Sequence, residues 1–415
     1  MILTPTQHRL VNDAIAILSQ NGIAYLCFET RVGKTPVSVL TAAHTNLPIL
    51  FITKKAAIGD ITKTIAALNE DYPLPHVEVM SFDSLHKIPI SKRVIIADEA
   101  HSFGTYPKPS LRAKQLRKLS DGCPVIMLSA TPTPESFSQM YHQLWAANCN
   151  IFDEYKNFYH WAQIYVNKQE KTIGWDQKVI DYSDARSELI LPQIKHLMLE
   201  CTKAQAGFAF SEPIEQRYYV AMPDHLREIV HAINKKRIYK SDTLKIVAGT
   251  AASKLSKVHQ LCSGTVIDDS DVPHIVSAHK IPAISILQAI HGKIAVYYKF
   301  VAELAMLNQA FPNRITSDPS AFRESTGNLI FAKQFVSGRE GIDLQTAKAI
   351  IFLNIDHSYL SYEQTKNRLA NMSREDQPII VFLITIDGIE EDIIKIVKQK
   401  RKYTAEYYTQ WKEKI

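Results

Sequence analysis

The chain contains 415 residues, of which 46% are hydrophobic and 22% are charged, and its formal net charge is +6. This composition is typical of a globular protein and excludes an intrinsically disordered chain. At this length, two or three domains of ordinary size are expected, each with its own core. The small positive excess permits a polyanionic partner without requiring one.

Cysteine usage and hydropathy limit the possible sites and locations. Five cysteines are scattered without C-x-x-C spacing, so the sequence predicts neither a disulfide framework nor a zinc site. The longest strongly apolar run, at 379–386, is too short to cross a bilayer. The first residues lack the basic and then apolar pattern of a secretory leader. We therefore expect a cytoplasmic protein with no membrane partner.

The N-terminal segment predicts a helix, a strand and a phosphate-binding loop in that order. Apolar residues at helical spacing follow the sequence LTPTQ at 3–7, and the apolar run Ile23–Phe28 then has the composition of a buried strand. The loop that follows ends in Gly33, Lys34 and Thr35, directly before a second helical pattern. A glycine turn between a buried strand and a helix N-terminus presents unpaired N–H groups to a phosphate.

The side chains of this loop have separate predicted roles. Lys34 can reach the β- and γ-phosphates, and the hydroxyl of Thr35 can bind Mg²⁺. Arg31 and Val32 would line the same nucleotide. The match to a phosphate loop is partial, because Phe28 and Arg31 occupy positions where glycine is common. ATP and Mg²⁺ are the cofactors that this pattern predicts, provided that acidic residues accompany it.

The other strands of the first half predict a parallel sheet covered on both faces, because short apolar runs alternate with helical or loop segments. These runs lie at 49–53, 77–80, 94–97 and 125–128. Ligands of such sheets bind at the carboxyl ends of the strands. Asp98–His101 and Ser129–Thr131 each follow one of these strands, so they should lie beside Gly33–Thr35.

Asp98 and Glu99 are the predicted acidic partners of the phosphate loop. An Asp at a strand end can hold Mg²⁺, while the next carboxylate orients or deprotonates an attacking water. Two solvated loop acids would be the alternative interpretation. Their position about sixty residues after Gly33–Thr35, on a strand expected to be adjacent, favours the nucleotide site.

The second half of the chain begins without the strand pattern of the first half and ends with it. Residues 148–210 show no clean strand alternation and are interpreted as a connector. A strand-like run at 216–220 leads into a basic helical region over about 223–264. Strands then alternate with helices again, at 293–298, 328–331, 349–353 and 379–383. The sequence therefore predicts one α/β domain over 1–147 and a second over 211–415, the latter with a helical insertion.

The order of these blocks resembles the superfamily 2 helicases and translocases, especially their compact Swi/Snf-like and phage branch-migration members. Gln7 is similar to the glutamine that reads adenine in this family, and Gly33–Thr35 is similar to motif I. The run Thr53-Lys54-Lys55 is similar to motif Ia, which contacts nucleic acid. Residues 98–101 form a complete DEAH box, and residues 129–132 form a complete motif III.

The resemblance continues in the second half. Residues 338–344 are similar to motif V, which implies that Gly341 and Asp343 contact the nucleotide. Gln364 resembles the first residue of motif VI, which implies that it also contacts the nucleotide.

Motif VI departs from the family pattern after its first residues. Arg368 has the expected offset from Gln364, but Asn371 stands where a second arginine is usual, and Arg374 lies three residues later. An arginine finger stabilises the charge that develops in phosphoryl transfer. One of the two arginines is therefore expected to reach the nucleotide across the interdomain cleft, and the offset favours Arg368.

Two further assignments have alternatives that the sequence leaves open. The resemblance implies that His101 couples the DEAH box to motif III through Ser129 and Thr131, but a capping or core histidine would fit the same sequence. The segment around Lys254 and Lys257 resembles part of the Swi/Snf-type second lobe, which favours contact with duplex DNA. A solvated helix face is equally compatible with these lysines.

The resemblance implies two RecA-like parallel-sheet domains in tandem, with the helical insertion in the second half. It also implies an ATP-dependent DNA helicase or translocase, a monomer in the cytoplasm of a bacterial or phage-infected cell, whose substrate is forked, junction or duplex DNA. One alternative is a duplex translocase that remodels bound proteins without separating strands. Another is a nucleic-acid-binding protein with an inactive nucleotide site, and the presence of Lys34, Asp98 and Glu99 argues against it.

Overall fold

The computed structural model describes residues 1–173, 177–209, 212–326, 329–335, 344–369, 374 and 376–399. The chain divides into two compact units, with the boundary between Phe208 and Ala209. Each unit contains a six-stranded parallel sheet with helices, which confirms the predicted pair of RecA-like α/β domains in tandem. None of the helices in the described ranges is long and apolar enough to span a bilayer.

The first unit contains a sheet with strand order β3-β2-β4-β5-β1-β8 and a separate antiparallel hairpin, β6-β7. Its described helices are α1 Pro5–Asn21, α2 Lys34–Ala43, α3 Ile58–Asn69, α4 Leu111–Leu119, α5 Gln139–Ala146, α6 Phe158–Tyr165 and α7 Ser187–Ile194. Its described strands are β1 Ile23–Phe28, β2 Ile49–Thr53, β3 Val77–Ser81, β4 Val94–Ala97, β5 Val125–Leu128, β6 Gln169–Ile173, β7 Gln177–Asp181 and β8 Met198–Cys201.

The central strands of this sheet are buried on both faces, as their continuous apolar sequences predict. Alternate residues of β1 belong to different cores: Ile23 and Tyr25 pack on one face, and Ala24 and Leu26 pack on the other. Side chains of successive strand residues point to opposite faces, so a strand covered on both sides needs an apolar residue at every position.

The segment predicted as a connector is instead a folded part of the first unit. It contributes α6, the hairpin, α7 and β8, and β8 pairs in parallel with β1 from Tyr25 opposite Met198 to Phe28 opposite Cys201. Only Cys201 of the four β8 residues is fully buried. A short, half-exposed edge strand lacks the apolar run by which the central strands are recognised.

The second unit contains a sheet with strand order β15-β16-β14-β17-β18-β9. Its described helices are α8 Asp224–Lys236, α9 Ala251–Cys262, α10 Ile281–His291, α11 Val301–Ala310, α12 Pro319–Glu324, α13 Tyr359–Lys366 and α14 over 390–399. Its described strands are β9 Ile214–Val220, β10 Ile238–Lys240, β11 Lys245–Val247, β12 Thr265–Ile267, β13 Pro273–Ile275, β14 Ile294–Tyr298, β15 Ile315–Thr316, β16 Ile330–Gln334, β17 Ala349–Phe352 and β18 Ile379–Thr385.

The predicted helical insertion is helical at both ends and has a β-hairpin in the middle. Helices α8 and α9 pack through Leu226, Ile229 and Leu261, among others, into a core of their own. The antiparallel strands β10 and β11 lie between the two helices in the sequence. Each strand has three residues, which is too few to establish an alternating pattern in a sequence.

Candidate functional site

The backbone of the predicted phosphate loop has the conformation that a glycine-rich loop requires. Gly33 caps the N-terminus of α2 with φ of 107°, and a Cβ atom at this position would lie 2.3 Å from Nε2 of Gln7. The positive φ makes glycine the favoured residue there. Arg31 adopts φ of 70°, in the left-handed region that most residues avoid. The loop therefore retains a glycine-type turn at Arg31, where the sequence departs from the common pattern.

Gln7 lies against this loop. Its Nε2 donates a hydrogen bond to the carbonyl of Val32 at 3.1 Å, and its Oε1 accepts one from the N–H of Thr4 at 3.0 Å. The second contact is half of a capping box that starts α1. The structure thus brings the N-terminal glutamine and the phosphate loop together, while adenine recognition by Gln7 stays a prediction.

Lys34 connects the loop to the acidic residues. Its Nζ donates to the carbonyls of Phe28 at 3.0 Å and Glu29 at 3.2 Å. Burial lowers the pKa of Lys34, and the charges of Glu99 and Asp98 oppose that shift. Strands β1 and β4 both pair in parallel with β5, so the loop that follows β1 and the acidic pair that follows β4 share one edge of the sheet.

Asp98 is held by hydrogen bonds to both of its carboxylate oxygens. Oδ2 accepts from the hydroxyl of Thr53 at 2.8 Å, and Oδ1 accepts from the backbone N–H of Glu99 at 2.9 Å. Burial, together with the charge of Glu99, raises the pKa of Asp98 to about 6. The carboxylate is oriented and desolvated, which are properties of a group that receives a cation.

The donor set fits Mg²⁺ that arrives with a nucleotide. Within the described ranges, no group of three or more His, Cys, Asp or Glu side chains could hold a metal ion by itself. Mg²⁺ commonly keeps several waters and binds one or two protein oxygens together with substrate phosphates. Asp98 and the hydroxyl of Thr35, in the first turn of α2, are the oxygens available for this role.

A chain of polar contacts joins the acidic box to the strand end at β5. Nδ1 of His101 lies 3.3 Å from Oε2 of Glu99 and 3.2 Å from Oγ of Ser129. The same Oγ accepts a hydrogen bond from the N–H of Thr131 at 3.2 Å. His101 is buried, so it is a core histidine that also links the two segments. Its role in coupling stays a prediction.

The structure changes the assignment of one predicted nucleic-acid contact. The side chain of Thr53 is fully buried, and its hydroxyl is bonded to Asp98. It therefore cannot reach a polymer. Lys54 is half-buried and Lys55 is exposed, so the two lysines remain candidates for phosphate contact.

Arg368 follows α13 in the second unit and is half-buried. Its charge opposes the rise that burial causes in the pKa of Tyr297, which places it near the carboxyl half of β14. Tyr297 itself is fully buried. Gln364 lies in α13 and is also buried. The predicted nucleotide contacts Gly341 and Asp343 lie outside the described residues.

Arg374 is engaged in the packing of the second unit. It is 8% exposed, and its guanidinium donates to the carbonyls of Ala347 at 3.0 Å and Asp376 at 2.9 Å. Longer bonds reach the carbonyls of Gln345 and Leu369. Burial lowers the pKa of Arg374. This arrangement is typical of an arginine that fixes loops, and it favours Arg368 as the finger.

The two lysines predicted to contact duplex DNA lie on α9. Nζ of Lys254 is 3.5 Å from the carbonyl of Asn234, and Nζ of Lys257 donates to the carbonyl of Ile267 at 2.5 Å. Lys257 therefore stabilises the insertion by this hydrogen bond. Lys254 makes the weaker contact, so it is the more available of the two for a phosphate.

The carboxyl edge of the second sheet contains a polar network that the sequence did not indicate. Glu303 is fully buried, and its Oε2 accepts from the N–H groups of Lys299 at 2.7 Å and Phe300 at 2.9 Å. Its Oε1 accepts from Nδ2 of Asn354, whose Oδ1 contacts Nε2 of His259. Glu303 and Asn354 belong to no motif of the sequence analysis, so only the fold reveals that they meet His259.

The fold places the protein among those built from two RecA-like α/β units in tandem. Residues 61–264 match the family model of the SNF2-related domain, which is just under half of the chain. The match includes the acidic box and α9, and it supports a place among the superfamily 2 helicase-like proteins and ATP hydrolysis in general. No curated protein shows a significant match to the chain.

Proposed function

We propose that this protein is an ATP-dependent DNA helicase or translocase of the DEAH-box type that acts on forked or junction DNA. The observation that carries the proposal is that the loop after β1, which leads to Lys34, and the acidic pair Asp98 and Glu99 after β4 lie at the same carboxyl edge of the first sheet, whose strands pair in parallel. The similarity to the SNF2-related domain supports nucleic acid as the partner and translocation as the use of the hydrolysed nucleotide.

The residues of the first unit have complementary roles in hydrolysis. The N–H groups at the start of α2 and the ammonium of Lys34 bind the phosphates of ATP. Thr35 and Asp98 would hold Mg²⁺, which neutralises charge on the phosphates. Glu99 orients the attacking water and takes its proton. Arg368, which belongs to the second unit, would supply positive charge to the transition state.

Movement along DNA follows from a difference in contacts between nucleotide states. A closed state favoured by ATP and an open state favoured after hydrolysis would alternate, provided that each makes different contacts. A motor has to ignore sequence, so it binds the phosphate backbone. Lys54, Lys55 and Lys254 are the residues proposed for those contacts, with Lys257 in a bracing role.

A second candidate function is a duplex translocase that remodels bound proteins without separating strands. It uses the same ATP site, and the similarity to the SNF2-related domain favours it as much as the first. Recombination and replication of phage or bacterial DNA are the processes in which either activity would serve.

The deciding experiment compares ATP hydrolysis with no polymer, single-stranded DNA, duplex DNA, a fork, a four-way junction and RNA. We expect the fork and the junction to stimulate most, with strand separation on the fork. Duplex stimulation without strand separation would favour the second candidate. Stimulation by RNA alone, or turnover that is the same with every polymer, would contradict both.

Glu99→Gln is the control variant for this assay. Removing the carboxylate that activates water should lower turnover by about 10²-fold or more with every polymer. ATP binding should be retained, because the phosphate loop is unchanged. Full turnover by this variant would show that the measured hydrolysis comes from another site or another protein.

A further inference from the structure

Thr53 is the last residue of β2, and its buried hydroxyl is bonded to the carboxylate of Asp98. Strands β2 and β4 pair in parallel, with Ile52 opposite Ala97, so Thr53 stands beside Asp98 at the carboxyl edge. The N–H of Asp98 also donates to the carbonyl of Ile52 at 2.9 Å. The two strand ends are therefore held in register next to the Thr53 hydroxyl.

The contact between Thr53 and Asp98 leaves the carboxylate able to bind a cation. Each carboxylate oxygen accepts one hydrogen bond, from Thr53 on Oδ2 and from the N–H of Glu99 on Oδ1. A carboxylate oxygen has two lone pairs, so each keeps one for Mg²⁺ or a metal-bound water. Two hydrogen bonds on separate oxygens fix the rotation of the carboxylate plane, which a single bond would leave free.

We propose that Thr53 is a positioning residue that holds Asp98 in the orientation in which it receives the Mg²⁺ of the nucleotide. The inference rests on the proposed function. Partners that orient a metal-binding carboxylate through a hydrogen bond strengthen metal binding by about 10- to 100-fold. Thr53 therefore contributes to metal binding without touching the metal.

A purely structural hydroxyl would behave differently. Thr53 is buried, so loss of its hydrogen bond could lower stability by about 1 kcal/mol whatever its role. A structural role predicts a change in unfolding and an unchanged response to Mg²⁺. A positioning role predicts that loss of the hydroxyl changes the response to Mg²⁺. A serine at position 53, which keeps a hydroxyl, should then retain the native response.

The experiment measures equilibrium binding of a fluorescent ADP analogue, with Mg²⁺ and with EDTA, for the full chain. Thr53→Val should bind the analogue about tenfold more weakly in Mg²⁺ than the native chain and equally well in EDTA. Thr53→Ser should keep the native response, because its hydroxyl can make the same bond. If the valine variant does not fold, Thr53→Ala takes its place in the comparison.

Thr41→Val is the matched control. Thr41 is equally buried, and its hydroxyl donates to the carbonyl of Val37 at 2.7 Å within α2. The control should keep the native response to Mg²⁺. A native response in Thr53→Val, or an equal loss in Thr41→Val, would overturn the inference. Absence of any Mg²⁺ effect in the native chain would instead overturn the proposed nucleotide site.

Discussion

Two lysines occupy comparable positions in the two units and have different environments. Lys34 follows the phosphate loop and donates to two backbone carbonyls. Lys280 precedes α10 and also donates to two carbonyls, those of Leu353 and Leu383, each at 2.9 Å. Lys280 has in addition a carboxylate partner, Glu390, at 2.8 Å, and both side chains are almost fully buried.

The difference between them separates a group that stabilises the fold from one that is available for chemistry. The charge of Lys280 is neutralised inside its own unit, and its three N–H donors are all engaged. Lys34 is half-buried, its pKa is lowered, and in the described part of the chain no carboxylate lies within ion-pair distance of its Nζ. A desolvated ammonium with a free donor is suited to bind a phosphate.

Lys34→Ala should lower activity much more than stability. Hydrolysis should fall by about 10³-fold, because the phosphates lose their main positive partner. The free energy of unfolding should fall by about 1–3 kcal/mol, since two hydrogen bonds to backbone carbonyls are lost. Steady-state turnover and chemical denaturation of the same sample provide both numbers. A large loss of stability with normal turnover would reverse the assignment.

Arg368→Ala and Arg374→Ala, both in the predicted motif VI, should also differ in this way. The first should affect activity, and the second should affect stability. Arg368→Ala should lower turnover by about 10³-fold while nucleotide binding changes less, because the charge acts on the transition state. Arg374→Ala should lower the free energy of unfolding by about 2 kcal/mol, since several buried carbonyls lose their donor. If Arg374→Ala folds normally and does not hydrolyse ATP, Arg374 is the finger.

Lys280→Met should lower stability and leave nucleotide binding unchanged. Glu390 would be left as a buried, unpaired charge, which costs about 3–5 kcal/mol. Denaturant unfolding measures this loss, and the remaining folded fraction should bind nucleotide normally. The matched control is Lys348→Met, which removes an ion pair to Asp376 whose side chains are 56% and 48% exposed. That change should cost about 1 kcal/mol or less.

The core of the fold could be predicted because its strands have continuous apolar sequences. The ranges predicted for β1, β2, β4 and β5 coincide with those in the structure. Each of these strands is covered on both faces, so every residue must be apolar, and the run begins and ends with the strand. The strand β8 lies at the edge and lacks this constraint, so its sequence predicts a connector instead of a strand.

The sequence by itself determined that a glycine turn with Lys34 and an acidic pair each follow a strand end, because this placement depends on short segments and on the alternation of strands with helices. Only the tertiary structure decided what each polar side chain faces. Thr53 and Lys54 are neighbours in the sequence, yet Thr53 is bonded to Asp98 in the interior. Arg374 likewise binds carbonyls that lie up to 29 residues away. Side-chain partners are set by the order of strands in the sheet, and that order depends on contacts between segments that are distant in the chain.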